Sequence, residues 1–309
     1  MDHYSIKQVD FTSDTRAFSA LTFSAFAPLF KQDTLAPSYL AHGVYYSEFG
    51  SVEVPVGLVL GSIDAELSDT GKLDSLFVSP KHRFKGLGKK LLKVMEKQMK
   101  ARGAQKIEAV YSTSSASFAS FEAILRYQGW SPPLTRMYLF FANLEKLRQA
   151  SWFSLFQKIT DGYRIVPWAH VTENQKLLLK DTITNTDQGV SPEVSPFEHE
   201  QKGLDQSPVL QDFCLACLFR DQVVGWHFTH RIRGEIARFS CSYVLPVNQS
   251  DFPVLSFWVV AFEKMYHSPW KKVSWGVSPR HSEMLRFNQK VMADYVDQVI
   301  ESKQVCKSL

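Results

Sequence analysis

The sequence predicts an α/β protein of the α+β type, in which a mixed, mostly antiparallel sheet carries helices on its faces. Strand-like stretches alternate along the chain with stretches whose apolar residues recur at helical spacing. The order of these stretches in the second half repeats the order in the first half, although the residues differ. Because 309 residues also exceed the usual size of one domain, we expect the fold to be duplicated.

The first half is expected to contain adjacent strands followed by a strand–helix–strand–helix–strand series. Asp14 is a candidate N-cap for the first helix. In order, the expected elements are strand 4–9, helix 14–26, strands 44–48, 54–64 and 72–78, helix 86–102, strand 106–112, helix 117–127 and strand 135–142.

The second half repeats this series after a helical connector. Its expected elements are strand 163–167, helix 172–184, strands 213–219, 223–232 and 236–245, helix 254–267, strand 272–277, helix 282–292 and strand 295–300. We therefore expect domains at 1–145 and 160–309, joined by residues 146–159. The polar stretch 185–212 lacks periodicity and is expected to be a lid or a disordered loop.

Composition excludes several classes of protein. Hydrophobic residues make up 45% of the chain and charged residues 21%, which argues against disorder and favours a packed core. The net charge of +4 is spread along the chain, so a nucleic-acid partner is not expected. Met1–Ser5 does not resemble a signal peptide, and no apolar stretch is long enough to span a bilayer. A cytoplasmic protein is expected.

No metal site is expected. Cys214 and Cys217 lie three apart on a predicted strand and so point to opposite faces, as do His227 and His230. Buried structural thiols are the simpler interpretation.

The segment 72–103 carries the strongest functional signal. A strand ends at Ser79-Pro80, a basic turn follows, and a helix begins near Gly86-Leu87-Gly88. The turn offers no Ser, Thr, Asp or Asn as a helix cap before Gly88, and its cations lie beside the positive end of the helix dipole. An uncapped, glycine-lined and cation-rich helix start is typical of an anion site, because the bare amides can donate to a phosphate. A solvated basic turn is the alternative.

Two other phosphate-binding loops do not match this segment. A P-loop has four residues between its glycines, whereas one separates Gly86 from Gly88. A dinucleotide fingerprint has a third glycine where this chain has Leu91.

Arg83-Phe84-Lys85-Gly86-Leu87-Gly88 resembles the Arg/Gln-x-x-Gly-x-Gly/Ala signature of the GNAT superfamily of N-acetyltransferases. The preceding strand end, Leu76–Pro80, and the later pair Gly129-Trp130 are similar to the family pattern as well. In architecture the resemblance covers about residues 4–142, and its most specific part is 73–92.

The resemblance implies that acetyl-coenzyme A is the cosubstrate. It implies that the pantetheine arm pairs with one strand like an additional strand, and that the turn after this strand holds the pyrophosphate. The implied cofactor-binding residues are Leu76, Phe77, Val78, Arg83, Phe84, Lys85, Gly86, Leu87, Gly88, Lys89 and Lys90. Such a fold splays strand 72–78 from strand 106–112, and the thioester enters the cleft between them.

By the same resemblance an amine attacks the thioester directly. Asp74 is the candidate base or amine-binding residue. The alternative is that it is an ordinary strand-end carboxylate in a surface ion pair. The amide of Phe77 or Val78 would stabilise the oxyanion. The chain departs from the family where a tyrosine usually protonates the leaving thiolate, because Leu125 occupies that position. The candidate substitutes are Tyr111, Ser112, Ser115 and Tyr127, or a water molecule.

The second half lacks the signature, since Pro246–Pro253 contains neither glycine nor cation. The chain thus resembles tandem GNAT proteins with one degenerate half. We expect an N-acetyltransferase acting on an amine of a small molecule or a protein. The alternative is a weak or inactive module that senses acetyl-coenzyme A or tethers a partner, which the missing tyrosine motivates.

Overall fold

The computed structural model describes residues 3–11, 15–31, 34–48, 52–63, 69–185, 190, 194–201 and 208–309. In chain order the strands are β1 (His3–Gln8), β2 (Tyr39–Ser47), β3 (Val54–Ile63), β4 (Thr70–Val78), β5 (Lys106–Ser112), β6 (Leu134–Asn143), β7 (Tyr163–Pro167), β8 (Leu215–Phe219), β9 (Gln222–Arg233), β10 (Ile236–Val244), β11 (Lys272–Val277) and β12 (Gln298–Ser308). The helices are α1 (Arg16–Ser19), α2 (Leu87–Ala101), α3 (Phe118–Tyr127), α4 (Leu144–Arg148), α5 (Glu173–Asn185), α6 (Pro196–Gln201), α7 (Leu255–Tyr266) and α8 (Ser282–Lys290).

The chain divides into two compact units. The first comprises Met1–Arg136 with Glu301–Leu309, and the second comprises Met137–Ile300. In the first unit the strand order is β1-β2-β3-β4-β5-β12. Its recorded pairings are antiparallel except for the parallel pair β4–β5, which α2 connects as a crossover helix.

Helix α2 forms because its apolar residues lie on one stripe, and that stripe packs on the sheet of the first unit. Its buried residues are those predicted from the helical spacing, namely Leu87, Leu91, Leu92, Met95 and Met99. Burying each of these side chains contributes about 1.5–3 kcal/mol. Gly61 and Gly71 provide the room for Met99, because a Cβ on either glycine would lie within 3 Å of its side chain.

The opposite face of the first unit is covered by α1 and the 3-10 helix Ala27–Lys31. Here the expected helix 14–26 is wrong within the described residues, because α1 ends at Ser19 and turns follow. Phe18 and Phe30 are buried, whereas Phe23 is 62% exposed. The helical spacing of the apolar residues in this segment therefore arises from separate turns that pack on the sheet. The N-cap expected at Asp14 lies outside the described residues.

The second unit repeats the same plan. Its strand order is β6-β11-β10-β9-β8-β7, and α7 connects the parallel pair β10–β11. Helix α7 is apolar on most of its surface because it is buried in the larger core of this unit. A second cluster packs α5 and α6 against the sheet, so part of the expected loop 185–212 is helical.

The last strand of each half of the chain pairs with a strand from the other half. β6 follows α3 in the sequence but pairs with β11, and β12 follows α8 but pairs with β5 from Ser302 to Ser308. The compact units therefore differ from the predicted bounds 1–145 and 160–309 by this exchange. The strand expected at 295–300 is wrong in its bounds, since 293–295 form a 3-10 turn and β12 follows it.

The predicted fold class is confirmed: a mixed, mostly antiparallel sheet with flanking helices. Among the helices that the described residues form, none is long and apolar enough to cross a membrane.

Candidate active site

The cleft of the first unit opens where β4 and β5 separate. The two strands pair from Thr70 with Lys106 to Leu73 with Ala109, and no further. Beyond this point β4 continues to Val78 and β5 to Ser112, and β5 pairs on its other edge with β12. The two predicted strands are therefore splayed as expected, and we call this opening the fork.

The open edge of β4 presents the main-chain groups of Leu76 and Val78. The Ser79 N–H donates to Val56 O at 2.8 Å, which makes Leu58 and Phe77 the next hydrogen-bonded pair of the ladder. Consistent with this alternation, the Val78 carbonyl points away from β3 and accepts a bond from Arg83 Nε at 3.0 Å. The N–H of Phe77 consequently faces β3, so of the two predicted oxyanion amides only that of Val78 lies on the open edge.

Asp74 is the first residue of β4 beyond the paired part of the fork. It is the extra residue of a β-bulge, because Leu60 pairs with Ser75 and Gly61 pairs with Leu73. Its Oδ2 is buried without a hydrogen-bond partner among the described residues. Burial raises the pKa of Asp74 to about 6, although a hydrogen bond from Ser62 and the charge of Lys72 oppose the rise. This carboxyl group can change its protonation state near neutral pH, as a general base must.

The turn between β4 and α2 has the conformation of an anion site. Phe84 and Gly86 both have left-handed backbones, with φ of 62° and 74°, and a Cβ on Gly86 would meet open space. Gly86 is the N-cap of α2, no side chain caps it, and the first helical turn holds no acidic residue. In the described part of the chain, the N–H groups of Leu87 and Gly88 have no acceptor. These amides are available to a phosphate.

The cations of this turn are held in place by neighbouring groups. Lys85 Nζ donates to Tyr4 Oη at 2.7 Å, and the same hydroxyl lies 3.0 Å from His82 Nδ1. Lys89 Nζ lies 3.4 Å from the ring centroid of Tyr127. The contribution of Tyr4 could not be predicted, since it lies on β1, far away in sequence.

The candidate proton donors occupy different places. Tyr111 lies on β5, two residues beyond the last pairing with β4, and its hydroxyl donates to Glu122 Oε1 at 2.8 Å. Tyr127 is 73% exposed at the end of α3, beside Lys89. The hydroxyls of Ser112 and Ser115 bond to neighbouring serines on the surface. Leu125 is 1% exposed and belongs to the core, so the usual tyrosine position carries no chemistry here.

The sequence of residues 8–125 matches the acetyltransferase (GNAT) family. We call the first unit, which contains this match, the GNAT domain. The predicted resemblance to this family is thus confirmed for the matched segment.

The GNAT domain and the second unit together have the fold of tandem GNAT proteins. A tandem GNAT protein from the clavulanic acid biosynthesis pathway aligns with 99% of this chain and 98% of its own, at a TM-score of 0.68 and 12% identity. A glucosamine N-acetyltransferase region of a fungal multi-domain β-N-acetylglucosaminidase aligns with 99% of this chain and 38% of its own, at a TM-score of 0.66 and 12% identity. A GCN5-related N-acetyltransferase from Sphaerobacter thermophilus aligns with 99% of this chain and 95% of its own, at a TM-score of 0.59 and 13% identity. At such low sequence identity, these structural similarities show the fold alone. No match is found among curated proteins.

The second unit has a fork like that of the GNAT domain, but its bulge carries no carboxyl group. The parallel pairing of β10 and β11 ends at Phe239 with Trp275, and Ser240 is the bulged residue that follows. Ser240 thus takes the place that Asp74 has in the GNAT domain. Trp258 fills this region, since its Nε1 donates to Ser242 Oγ at 2.9 Å and its ring lies 5.2 Å from Trp275.

The turn after β10 is closed by the chain itself. Gln249 Nε2 donates to the Val244 carbonyl at 2.9 Å, as Arg83 does to Val78 in the GNAT domain. The N–H groups of Asp251 and Phe252 both donate to the Asn248 carbonyl. Val254 replaces glycine at the N-cap of α7. The amides of Asp251 and Phe252 are therefore not available to an anion.

Two cysteines and one histidine of the second unit lie in its core. Cys214 and Cys217 are buried, and burial raises the pKa of each thiol to about 12. His227 is fully buried between Ser242 and Thr229, and burial lowers its pKa to about 3. No group of residues suited to a metal ion occurs in the described part of the chain.

Proposed function

We propose that the GNAT domain transfers an acetyl group from acetyl-coenzyme A to a primary amine by direct attack. The observation that carries this proposal is the position of Asp74 on β4 directly after the last residue that pairs with β5, with an Oδ2 that is buried and has no partner among the described residues. The anion-binding turn begins only a few residues further along the same chain segment. One short segment thus supplies both a cosubstrate site and a base.

The turn and the open edge would bind the cosubstrate. The amides of Gly86–Gly88 would receive the pyrophosphate, with Arg83, Lys85, Lys89 and Lys90 supplying positive charge. The pantetheine arm would pair with the main-chain groups of Leu76 on the open edge, as an added strand pairs with a sheet edge. The thioester would then lie in the fork.

Asp74 would accept the proton of the attacking nitrogen. Above pH 6 its carboxylate is ionised, so it can hold the amine and take its proton as the C–N bond forms. The Val78 N–H on the open edge would stabilise the oxygen of the tetrahedral intermediate. The electron pair of the C–S bond then leaves with coenzyme A.

Thiol release tests this proposal. The full chain is mixed with acetyl-coenzyme A and a panel of primary amines, and free thiol and acetylated amine are measured together. We expect stoichiometric formation of both products with at least one amine, and their loss in Asp74→Asn. Tight acetyl-coenzyme A binding without turnover on a broad panel would favour the sensing module instead.

A further inference from the structure

Three side chains from distant parts of the chain meet beside the stretch of β5 that no longer pairs with β4. Tyr111 on β5 donates its hydroxyl proton to Glu122 Oε1 on α3 at 2.8 Å. Lys303 on β12 donates to the same oxygen at 3.1 Å. Tyr111 and Lys303 are directly opposite each other in the β5–β12 ladder, so the pairing of the exchanged strand fixes this contact.

The environment keeps these groups in defined protonation states. Burial, and then the adjacent Glu122, raise the pKa of Tyr111 above its ordinary value. Burial alone would raise the pKa of Glu122, but the bonds from Tyr111 and Lys303 outweigh it and lower that pKa. At neutral pH the phenol is therefore protonated and the carboxylate is ionised.

We propose that Tyr111 protonates the leaving thiolate, and that Glu122 and Lys303 are positioning residues which hold its hydroxyl. This rests on the proposed function. Tyr111 is favoured over Tyr127 because it lies on the open stretch of β5, whereas Tyr127 lies beside Lys89 at the anion-binding turn. The chain thereby replaces the tyrosine missing at Leu125 with one on a neighbouring element.

The step balances as follows. The amine nitrogen bonds to the thioester carbon and gives its proton to Asp74, while the C–S bond breaks and its electron pair stays on sulfur. Tyr111 turns from Glu122 and gives its hydroxyl proton to that sulfur, which yields the free thiol. The phenolate that remains next to Glu122 adds a second negative charge, and the Lys303 ammonium compensates for it. The proton on Asp74 returns to Tyr111 through water.

Lys303 is supplied by the last strand of the chain. The donor of the GNAT domain would therefore depend on residues that follow the whole second unit in sequence. This gives β12 a role in turnover besides completing the sheet.

The experiment compares Tyr111→Phe, Glu122→Gln and Lys303→Met with the unaltered chain. We expect kcat to fall about 100-fold or more in Tyr111→Phe and about tenfold in the other two, the range for a lost proton donor and its supports. The dissociation constant of acetyl-coenzyme A should change less than about twofold. Lys303→Arg should recover most of the activity. Lys307→Met is the matched control, because Lys307 lies on the same strand and pairs with Glu96 of α2 at 2.6 Å.

A second acyl donor separates proton donation from a structural role. With an acetyl thioester of a nitro-substituted thiophenol, the thiolate leaves without protonation, so the Tyr111→Phe defect should shrink to a fewfold. An equal defect with both donors, or an unchanged kcat with acetyl-coenzyme A, would overturn the inference. Absence of turnover by the unaltered chain with any amine would instead count against the proposed function.

Discussion

Asp74 and Ser240 are the bulged residues of two copies of one strand–helix–strand motif. Each directly follows the last residue that pairs across its parallel strands, Leu73 in β4 and Phe239 in β10. The bulge is retained in both copies, whereas the carboxyl group occurs in one. Our proposal therefore places the acid–base chemistry in the GNAT domain.

Asp74→Asn should lower turnover and abolish the decrease in kcat/KM at acidic pH. In the unaltered chain kcat/KM should rise with pH until about 6, because the base works only when ionised and burial sets its pKa there. The variant should lose about 100-fold or more in kcat. Steady-state kinetics from pH 5 to about 9 measure both effects, and Ser240→Ala is the matched control. An acid limb that persists in Asp74→Asn would exclude this residue as its source.

The same substitution should stabilise the protein at neutral pH. The folded-state pKa of Asp74 is raised from 3.8 to about 6, so the favourable protonated state is lost as pH rises through 6. Above pH 6 the ionised group costs at most about 3 kcal/mol, at 1.36 kcal/mol per pKa unit. Urea unfolding should therefore find Asp74→Asn more stable at pH 7, with a smaller advantage at pH 4. An equal difference at both pH values would contradict this.

Gly86→Val should weaken acetyl-coenzyme A binding at least about tenfold, since a side chain would block the approach of a phosphate to the amides. Gly103→Val is the control at the other end of α2. Both glycines have positive φ, 74° and 92°, and both face open space, so both variants should lose about 1–2 kcal/mol of stability. Only Gly86→Val should alter binding in calorimetry. Similar binding losses in both variants would point to a general effect on α2.

One acetyl-coenzyme A should bind per chain. In the turn after β10 the amides of Asp251 and Phe252 donate to the Asn248 carbonyl, and Trp258 donates to Ser242, which lies two residues beyond the bulge. Isothermal titration should give a stoichiometry near one, and Gly86→Val should reduce the observed affinity of that single site. A second site that survives in Gly86→Val would show that the second unit binds the cosubstrate.

Local sequence was sufficient for the elements that build the site. The bounds expected for β5 and β11 agree with the structure, and α2 differs by one residue at each end. The buried stripe of α2 and the absence of a cap at Gly86 could be read directly, because both depend on neighbouring residues in the chain. The short α1 was missed, because aromatic residues at helical spacing are also compatible with packed turns.

The sequence by itself determined the duplicated fold class, the glycine turn and the carboxyl group of Asp74, since periodicity, turn chemistry and motif spacing are local properties. Tertiary structure decided which strand completes each sheet, where the pairing of β4 and β5 stops, and that Lys303 meets Tyr111. Strand pairing joins residues that are far apart in sequence. Nothing in the local sequence of β6 or β12 identifies the strand with which it pairs. Their long-range contacts therefore had to be seen in the folded protein.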